Sequence, residues 1–198
     1  MLKAIIFDLN GVFIKSPKLS DRFEYDFKIS AEIFMPALKD VMAEVRMPGA
    51  KDFFEYWKPY FEKWSLNFTR EKFLKYWFGA ETLDDKMVDY AKELKAKKIK
   101  IFILSNNLRE RSLYYDEHFK ILNGLFDKMY FSWQTGFIKS DIRAYKNLLT
   151  ANNLKPEECI YFDDSKKNIE LAKALGIKSY LFKDPEKTKK IIDNLLKK

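Results

Sequence analysis

The stretch that decides the fold is Lys3-Ala4-Ile5-Ile6-Phe7-Asp8-Leu9-Asn10-Gly11-Val12. The unbroken apolar run from Ala4 to Phe7 reads as a strand spanning Lys3 to Leu9, buried on both faces. An acid follows it at once, and Asn10-Gly11 is a turn signal. Four more apolar runs end in the same polar way. Lys100-Ile101-Phe102-Ile103-Leu104 stops at Ser105-Asn106-Asn107, and Cys159-Ile160-Tyr161-Phe162 stops at Asp163-Asp164. Ser179-Tyr180-Leu181-Phe182 stops at Lys183-Asp184-Pro185, and Lys128 to Ser132 is a weaker strand.

Helical spacing fills the gaps between these runs. Met87, Val88, Ala91 and Leu94 share a helix face, as do Ile142, Tyr145, Leu148 and Leu149 before the Asn152-Asn153 stop. Ile169, Leu171, Ala172 and Leu175 precede Gly176, a suitable residue just past a helix end. Glu186 to Lys198 carries a last apolar stripe. Alternating strands and helices predict an α/β fold, a Rossmann-like parallel sheet with helices on both faces.

Residues 15–85 break the rhythm. They contain no convincing buried strand and are crowded with aromatics, from Phe53 through Trp57, Trp64 and Phe73 to Phe78. They read as an inserted all-helical unit, with Thr69 capping a helix from Arg70 to about Phe78. The aromatics read as its core and its seam to the sheet. The domains expected are therefore an α/β core, residues 1–14 and 86–198, and a helical cap, residues 15–85.

Composition narrows the chemistry. The 198 residues hold 37 Lys+Arg against 29 Asp+Glu, one Cys and one His. Cys159 and His118 cannot build a zinc site or an iron–sulfur cluster, so any metal must sit on oxygen ligands. Cys159 reads as buried packing and His118 as structural or exposed. No apolar run approaches the length of a membrane span, and the N-terminal run is too short for a signal peptide. The expectation is a cytoplasmic protein without membrane contact. Only six of the 37 cations are Arg, and the Lys are scattered, so the net charge of +8 reads as a solvated surface rather than a nucleic-acid footprint.

In a parallel sheet, ligands bind beyond the carboxyl ends of the strands. The residues there are Asp8 and Asn10, Ser105 and Asn106, Lys139, and Asp163 with Asp164. Clustered acids favour a hard divalent cation such as Mg²⁺. A carboxylate such as Asp8 can attack phosphorus, Ser105 can hold phosphoryl oxygens, and Lys139 can neutralise charge.

In order, these segments resemble the four motifs of the haloacid dehalogenase-like hydrolase superfamily. The first is Ile5 to Val12, the second Ile103-Leu104-Ser105-Asn106-Asn107, the third Gly136-Phe137-Ile138-Lys139-Ser140-Asp141, and the fourth Ile160 to Asn168. The position of the helical insertion resembles the cap of small sugar-phosphate phosphatases and of the N-terminal phosphatase domain of epoxide hydrolases. The resemblance implies a Mg²⁺-dependent phosphatase of small phosphorylated metabolites that forms an aspartyl-phosphate on Asp8. It implies a metal held by Asp8, the Asn10 carbonyl, Asp163 and Asp164, and phosphate held by Ser105, Asn106 and Lys139. Asn168 would orient the metal-binding carboxylates.

One position departs from the pattern. Phosphatases of this kind usually carry Asp where Asn10 stands, to protonate the leaving oxygen and then activate water. An amide does neither near neutral pH. Three accounts of Asn10 stand: a working phosphatase with weakened acid–base catalysis, a protein that binds a phosphorylated ligand without hydrolysing it, or an engineered or processed residue, Asn-Gly being prone to deamidation. Metal-independent dehalogenation would use the same Asp8, but the Asp163-Asp164 pair argues against it. A receiver domain carries its acid pair early in the chain, not late.

Overall fold

The computed structural model describes residues 2–197, so the parts of these readings that fall on Met1 and Lys198 lie outside the described residues. The order of elements is β1 (Ala4–Phe7), β2 (Ile14–Lys15), α1 (Leu19–Phe27), α2 (Ala31–Val45), α3 (Phe53–Lys63), α4 (Arg70–Phe78), β3 (Thr82–Leu83), α5 (Asp85–Ala96), β4 (Lys100–Ser105), α6 (Arg109–His118), β5 (Lys128–Phe131), α7 (Ser132–Thr135), α8 (Ile142–Ala151), β6 (Cys159–Asp163), α9 (Lys166–Ala174), β7 (Lys178–Leu181) and α10 (Pro185–Leu196).

Five strands form one parallel sheet in the order β5-β4-β1-β6-β7. Strand β1 is central, with Phe7 level with Ile103 on one side and Phe162 on the other. The chain builds outward from β1 in one direction and later returns to build the other half. The order therefore switches at β1, and Asp8 stands at that point.

The two-residue period of a strand sends alternate side chains to opposite faces. Ile5, Phe7, Ile103 and Phe162 pack with Met87 and Ala91 of α5 and Ile192 of α10. Ala4, Ile6, Phe102 and Tyr161 pack with Tyr145 and Leu148 of α8 and Ile169 and Ala172 of α9. This is why the strand runs are apolar at every position.

Helices α1 to α4 lie between the short strands β2 and β3, which pair antiparallel through Ile14 with Leu83 and Lys15 with Thr82. The helices enclose a third cluster of buried side chains, including Phe23, Phe34, Phe53, Trp57, Phe61 and Phe73. Trp57 stacks on Phe34 at 5.4 Å and on Phe61 at 5.7 Å between ring centroids. Such pairs add about 0.5–1.5 kcal/mol each beyond the area they bury. The aromatics are thus core. Leu108, just ahead of α6, joins this cluster and ties it to the sheet unit.

Several boundaries differ from the sequence reading. Strand β1 ends at Phe7 because the Asp8 carboxylate turns back to accept the Leu9 N–H at 2.7 Å. Strand β5 ends at Phe131 because Ser132 opens a one-turn helix. Strand β6 extends to Asp163, strand β7 runs one residue earlier than read, and α10 starts at Pro185, with the Asp184 side chain capping Lys187 N–H. The ribbon β2–β3 and helix α6 have no counterpart in the sequence reading. The Thr69 cap, the Gly176 turn and the Asn152 stop stand where read.

Candidate active site

The ends of β1 and β6 and the loop between α7 and α8 bring Asp8, Asp163, Asp164 and Lys139 together. Carboxylate oxygens of the three acids lie within 4.8 Å of one another. The Lys139 Nζ donates to Asp163 Oδ2 at 2.7 Å and pairs with Asp8 Oδ2 at 2.6 Å. Asp8 is 6% exposed, Ser105 2%, Lys139 3% and Asp163 fully buried, so the centre is shielded from bulk water. Three carboxylates against one ammonium leave an uncompensated double negative charge.

That imbalance acts on each group. Burial pushes the Asp8 carboxyl up to about 6; Lys139 opposes the rise, and Asp163 and then Asp164 add to it. Burial alone would lower the Lys139 ammonium, but Asp8 and Asp163 outweigh it and hold the ammonium above its ordinary value. Asp164 is raised by burial of its inner side and by Asp163, although its outer side faces solvent.

Asp163 is the most constrained member. Its Oδ2 accepts from Lys139 and from the Tyr161 hydroxyl, its Oδ1 accepts the Ser165 N–H at 2.7 Å, and the Asn168 Nδ2 reaches both oxygens at 3.1 Å. A carboxylate has about four acceptor positions, so Asp163 has little left to offer an ion. Asp8 and Asp164 have more. Asn168 therefore touches the acid it was read to orient. Tyr161 was missed, yet it stands two residues before Asp163 on β6 and shares its face. Tyr145 braces the same region, donating to the carbonyl oxygens of Lys139 and Asn168 at 3.1 and 3.3 Å.

Asn106 accepts the Lys139 backbone N–H on its Oδ1 at 2.8 Å, so that oxygen holds the lysine loop. Ser105 is buried at the end of β4, level with Phe131. Gly11 has φ +84°, and a Cβ there would collide with the Asp164 carboxylate. The turn after β1 thus needs glycine twice, for its backbone angle and for the close approach of Asp164.

Asn10 belongs to a second buried network. Its Nδ2 donates to the Tyr115 hydroxyl at 2.7 Å, which donates to Glu81 Oε2 at 2.6 Å. Arg111 pairs with Glu81 and donates to the Ser16 hydroxyl at 3.0 Å. Ser16 follows β2 and Glu81 precedes β3, so the network ties both crossings into the helical insertion to α6. The Asn10 Oδ1 is buried and has no partner among the described residues. Glu81, Arg111 and Tyr115 carried no sequence signal, because they meet only when the chain folds.

The donor set suits a hard divalent cation: it is all oxygen, excess negative and free of thiolate or imidazole. His118 stacks on Tyr114 at the surface, and Cys159 is buried in β6, both remote from this chemistry.

A sequence profile described as haloacid dehalogenase-like hydrolase matches residues 5–182. The chain belongs to that family. The rat bifunctional epoxide hydrolase 2 is 28% identical over 121 residues, covering 60% of this chain and 22% of that protein. The chain thus spans about a fifth of the length of this curated relative. A predicted HAD-like family hydrolase from Porphyromonas gingivalis superposes with a TM-score of 0.79 at 24% identity, covering 100% of this chain and 99% of that one. A HAD family enzyme from Bacteroides thetaiotaomicron, in complex with magnesium and inorganic phosphate, superposes with a TM-score of 0.75 at 19% identity over 92% and 95% of the chains. The L-2-haloacid dehalogenase of Xanthobacter autotrophicus, with chloropropionic acid covalently bound, gives a TM-score of 0.66 at 16% identity over 90% and 76%. At these identities the superpositions establish the fold. No described helix is long and apolar enough to cross a membrane.

Proposed function

We propose that this hydrolase removes phosphate from small phosphomonoesters with Mg²⁺ and an aspartyl-phosphate on Asp8. The observation that carries this reading is the acid cluster of Asp8, Asp163 and Asp164 around Lys139. A dehalogenase attacking carbon with Asp8 has no need of an excess negative charge beside its nucleophile. A metal phosphatase does, because the ion offsets that charge. The bound magnesium and phosphate of the Bacteroides relative support the same choice.

In this reading Asp8 and Asp164, with the Asn10 carbonyl, would hold Mg²⁺, and Asp163 keeps Lys139 and the loop in place. The ion supplies charge neutralisation between carboxylate and phosphoryl group. An Asp8 oxygen attacks phosphorus, the bond to the leaving oxygen breaks, and an acyl phosphate forms. The Lys139 ammonium and Ser105 hydroxyl stabilise the phosphoryl oxygens. Water then attacks phosphorus, inorganic phosphate leaves, and the Asp8 carboxylate is restored. Asn10 cannot give the leaving oxygen a proton or take one from the water. Substrates with good leaving groups, such as acyl and aryl phosphates, are therefore favoured, and the second step is slow.

Residues 15–85 act as the cap, opening to admit substrate to a centre that is otherwise closed. A phosphatase panel with and without Mg²⁺ tests the proposal. Metal-dependent phosphate release, abolished in Asp8→Ala, is expected. A protein that binds phosphate with Mg²⁺ but releases none from any ester is a binding protein instead.

A further inference from the structure

The loop between α2 and α3 faces the start of α6 and the short helix α7 across a pocket of about 520 Å³. Val45, Met47 and Pro48 line it from the insertion, and Arg109, Glu110 and Trp133 from the sheet unit. The volume lies in the range of small-molecule sites. The sheet-side wall is fixed. The Ser132 hydroxyl accepts the Asn107 N–H at 3.2 Å and donates to the Asn107 carbonyl at 3.1 Å, which ties the start of α7 to the turn ahead of α6. The two walls meet at one end, where a Cβ on Gly136 would lie 3.6 Å from the Pro48 ring.

Glu110 is a carboxylate on this wall with 4% exposure, and the chemistry at Asp8 makes no use of it. Among the described residues its one partner is Arg109, the residue before it, which reaches Oε1 from Nε at 3.1 Å and from Nη2 at 2.8 Å. Adjacent residues on a helix do not face each other. Arg109 therefore folds back to make this pair, and it stays 45% exposed. Glu110 Oε2 has no donor among the described residues. The first turn of a helix favours an acid, but that accounts for the charge and not for its burial. A buried carboxylate costs free energy until its oxygens are hydrogen-bonded. The same wall holds the opposite defect, because Trp133 Nε1 is a buried donor without an acceptor. Lys51 adds an exposed cation on the insertion side.

We propose that this pocket binds a small α-amino acid with an apolar side chain. Its ammonium would donate to Glu110 Oε2. Its carboxylate would accept from Arg109, Lys51 and the Trp133 N–H, and its side chain would lie against Val45, Met47 and Pro48. A simple carboxylate leaves Glu110 unmet, and a simple amine leaves the cations unmet. The zwitterion meets both with charge-assisted hydrogen bonds. The occupant touches the insertion and the sheet unit at once, so it holds them together and stabilises the folded chain by mass action. The assignment does not depend on the phosphatase reading.

Calorimetric titration of the whole chain tests this with three probes. They are L-leucine, 4-methylpentanoate, which lacks the ammonium, and 3-methylbutylamine, which lacks the carboxylate. Leucine should bind tightest. Glu110→Gln should weaken leucine about 10- to 100-fold, as for loss of a charge-assisted hydrogen bond, without weakening 4-methylpentanoate. Lys51→Gln, on the exposed loop, should weaken leucine and 4-methylpentanoate but not the amine. By NMR, leucine should shift the Val45 and Met47 methyls and the Trp133 indole N–H, assigned through Trp133→Phe. No binding of leucine, equal affinity for all three probes, or unmoved signals overturn the site. Equal losses for leucine and 4-methylpentanoate in Glu110→Gln overturn the role of Glu110. Turnover of nitrophenyl phosphate in the presence of leucine separates two sources of the ligand. A raised KM makes the amino acid part of the substrate, and a change in kcat alone makes it a separate effector. If no ester turns over, the phosphatase reading fails, and the titration still decides what the pocket binds.

Discussion

Asn10→Asp is the perturbation whose consequence follows most closely from the geometry. The Asn10 Nδ2 donates to Tyr115, whose one proton goes to Glu81. A carboxylate at position 10 would put an acceptor where that donor stands. Tyr115 cannot donate to both acids, and Glu81, paired with Arg111, already accepts its proton. The missing hydrogen bond is met if the introduced carboxyl holds a proton itself. A hydrogen bond to a charged group is worth roughly 1.5–3 kcal/mol, and one pH unit corresponds to about 1.4 kcal/mol. The new acid should therefore titrate about one to two units above an ordinary aspartate, near 5 to 6. It would be a general acid in a useful range, and such groups contribute roughly 10²–10⁴-fold. With about a tenth of it protonated at neutral pH if it titrates near 6, the net gain for alkyl phosphates should be roughly 10- to 10³-fold, and tenfold less if it titrates near 5. Nitrophenyl phosphate, whose leaving group needs no proton, should gain a few-fold at most. The assay is kcat across esters from nitrophenol to alkyl alcohol leaving groups, at several pH values. The gain should be largest for the poorest leaving groups and grow as the pH is lowered toward 5.5. An equal gain for every ester, or none, would refute the reasoning and mean that another group already supplies the proton.

Other outcomes follow from the same contacts. Gly11→Ala should destabilise the protein by about 2 kcal/mol or more, through left-handed backbone strain and collision with Asp164; urea unfolding measures it, and Mg²⁺ affinity should fall in parallel. Trp57→Ala should cost about 3–5 kcal/mol by opening a cavity in the stacked aromatic cluster, read as a lowered midpoint in thermal unfolding. For pH, Asp8 holds its proton more tightly folded, at about 6, than its ordinary 3.8. The folded state thus carries the extra proton between those values, and its contribution to stability is lost as the pH rises through about 6. Metal-free protein should lose roughly 2 kcal/mol between pH 4 and 7 from this group, and added Mg²⁺ should recover part of it at pH 7. A stability that rises steadily over that range would contradict the assignment.

The chemistry at the strand ends was legible because buried parallel strands are apolar at every position. A polar residue that ends such a run stands out, and sheet topology gathers the ends. Asp8, Asp163 and Asp164 were readable in this way, whereas Lys139, in the loop after α7, was read from the resemblance of Gly136 to Asp141 to a family motif. Tyr161 could have been found by applying the two-residue strand period backward from Asp163. Glu81, Arg111 and Tyr115 could not. They come from the insertion, its hinge and α6, whose sequence Arg109 to His118 has no apolar stripe. Their roles depend on how the insertion sits on the sheet, which no local pattern encodes. The aromatic run of residues 53–78 was legible as core, since its spacing suited helices and its abundance exceeded what a surface would carry.

In the proposed reaction Asp8 accepts a phosphoryl group, and Asn10 leaves the resulting acyl phosphate slow to break down. Rapid acid quench after mixing the protein with Mg²⁺ and nitrophenyl phosphate, followed by mass spectrometry, tests both parts at once. The expected result is an adduct of one phosphoryl group on the peptide containing Asp8, accumulating to a large fraction of the protein, absent without Mg²⁺ and absent in Asp8→Asn. Phosphate release with no adduct on Asp8, or an adduct on another residue, would contradict the account.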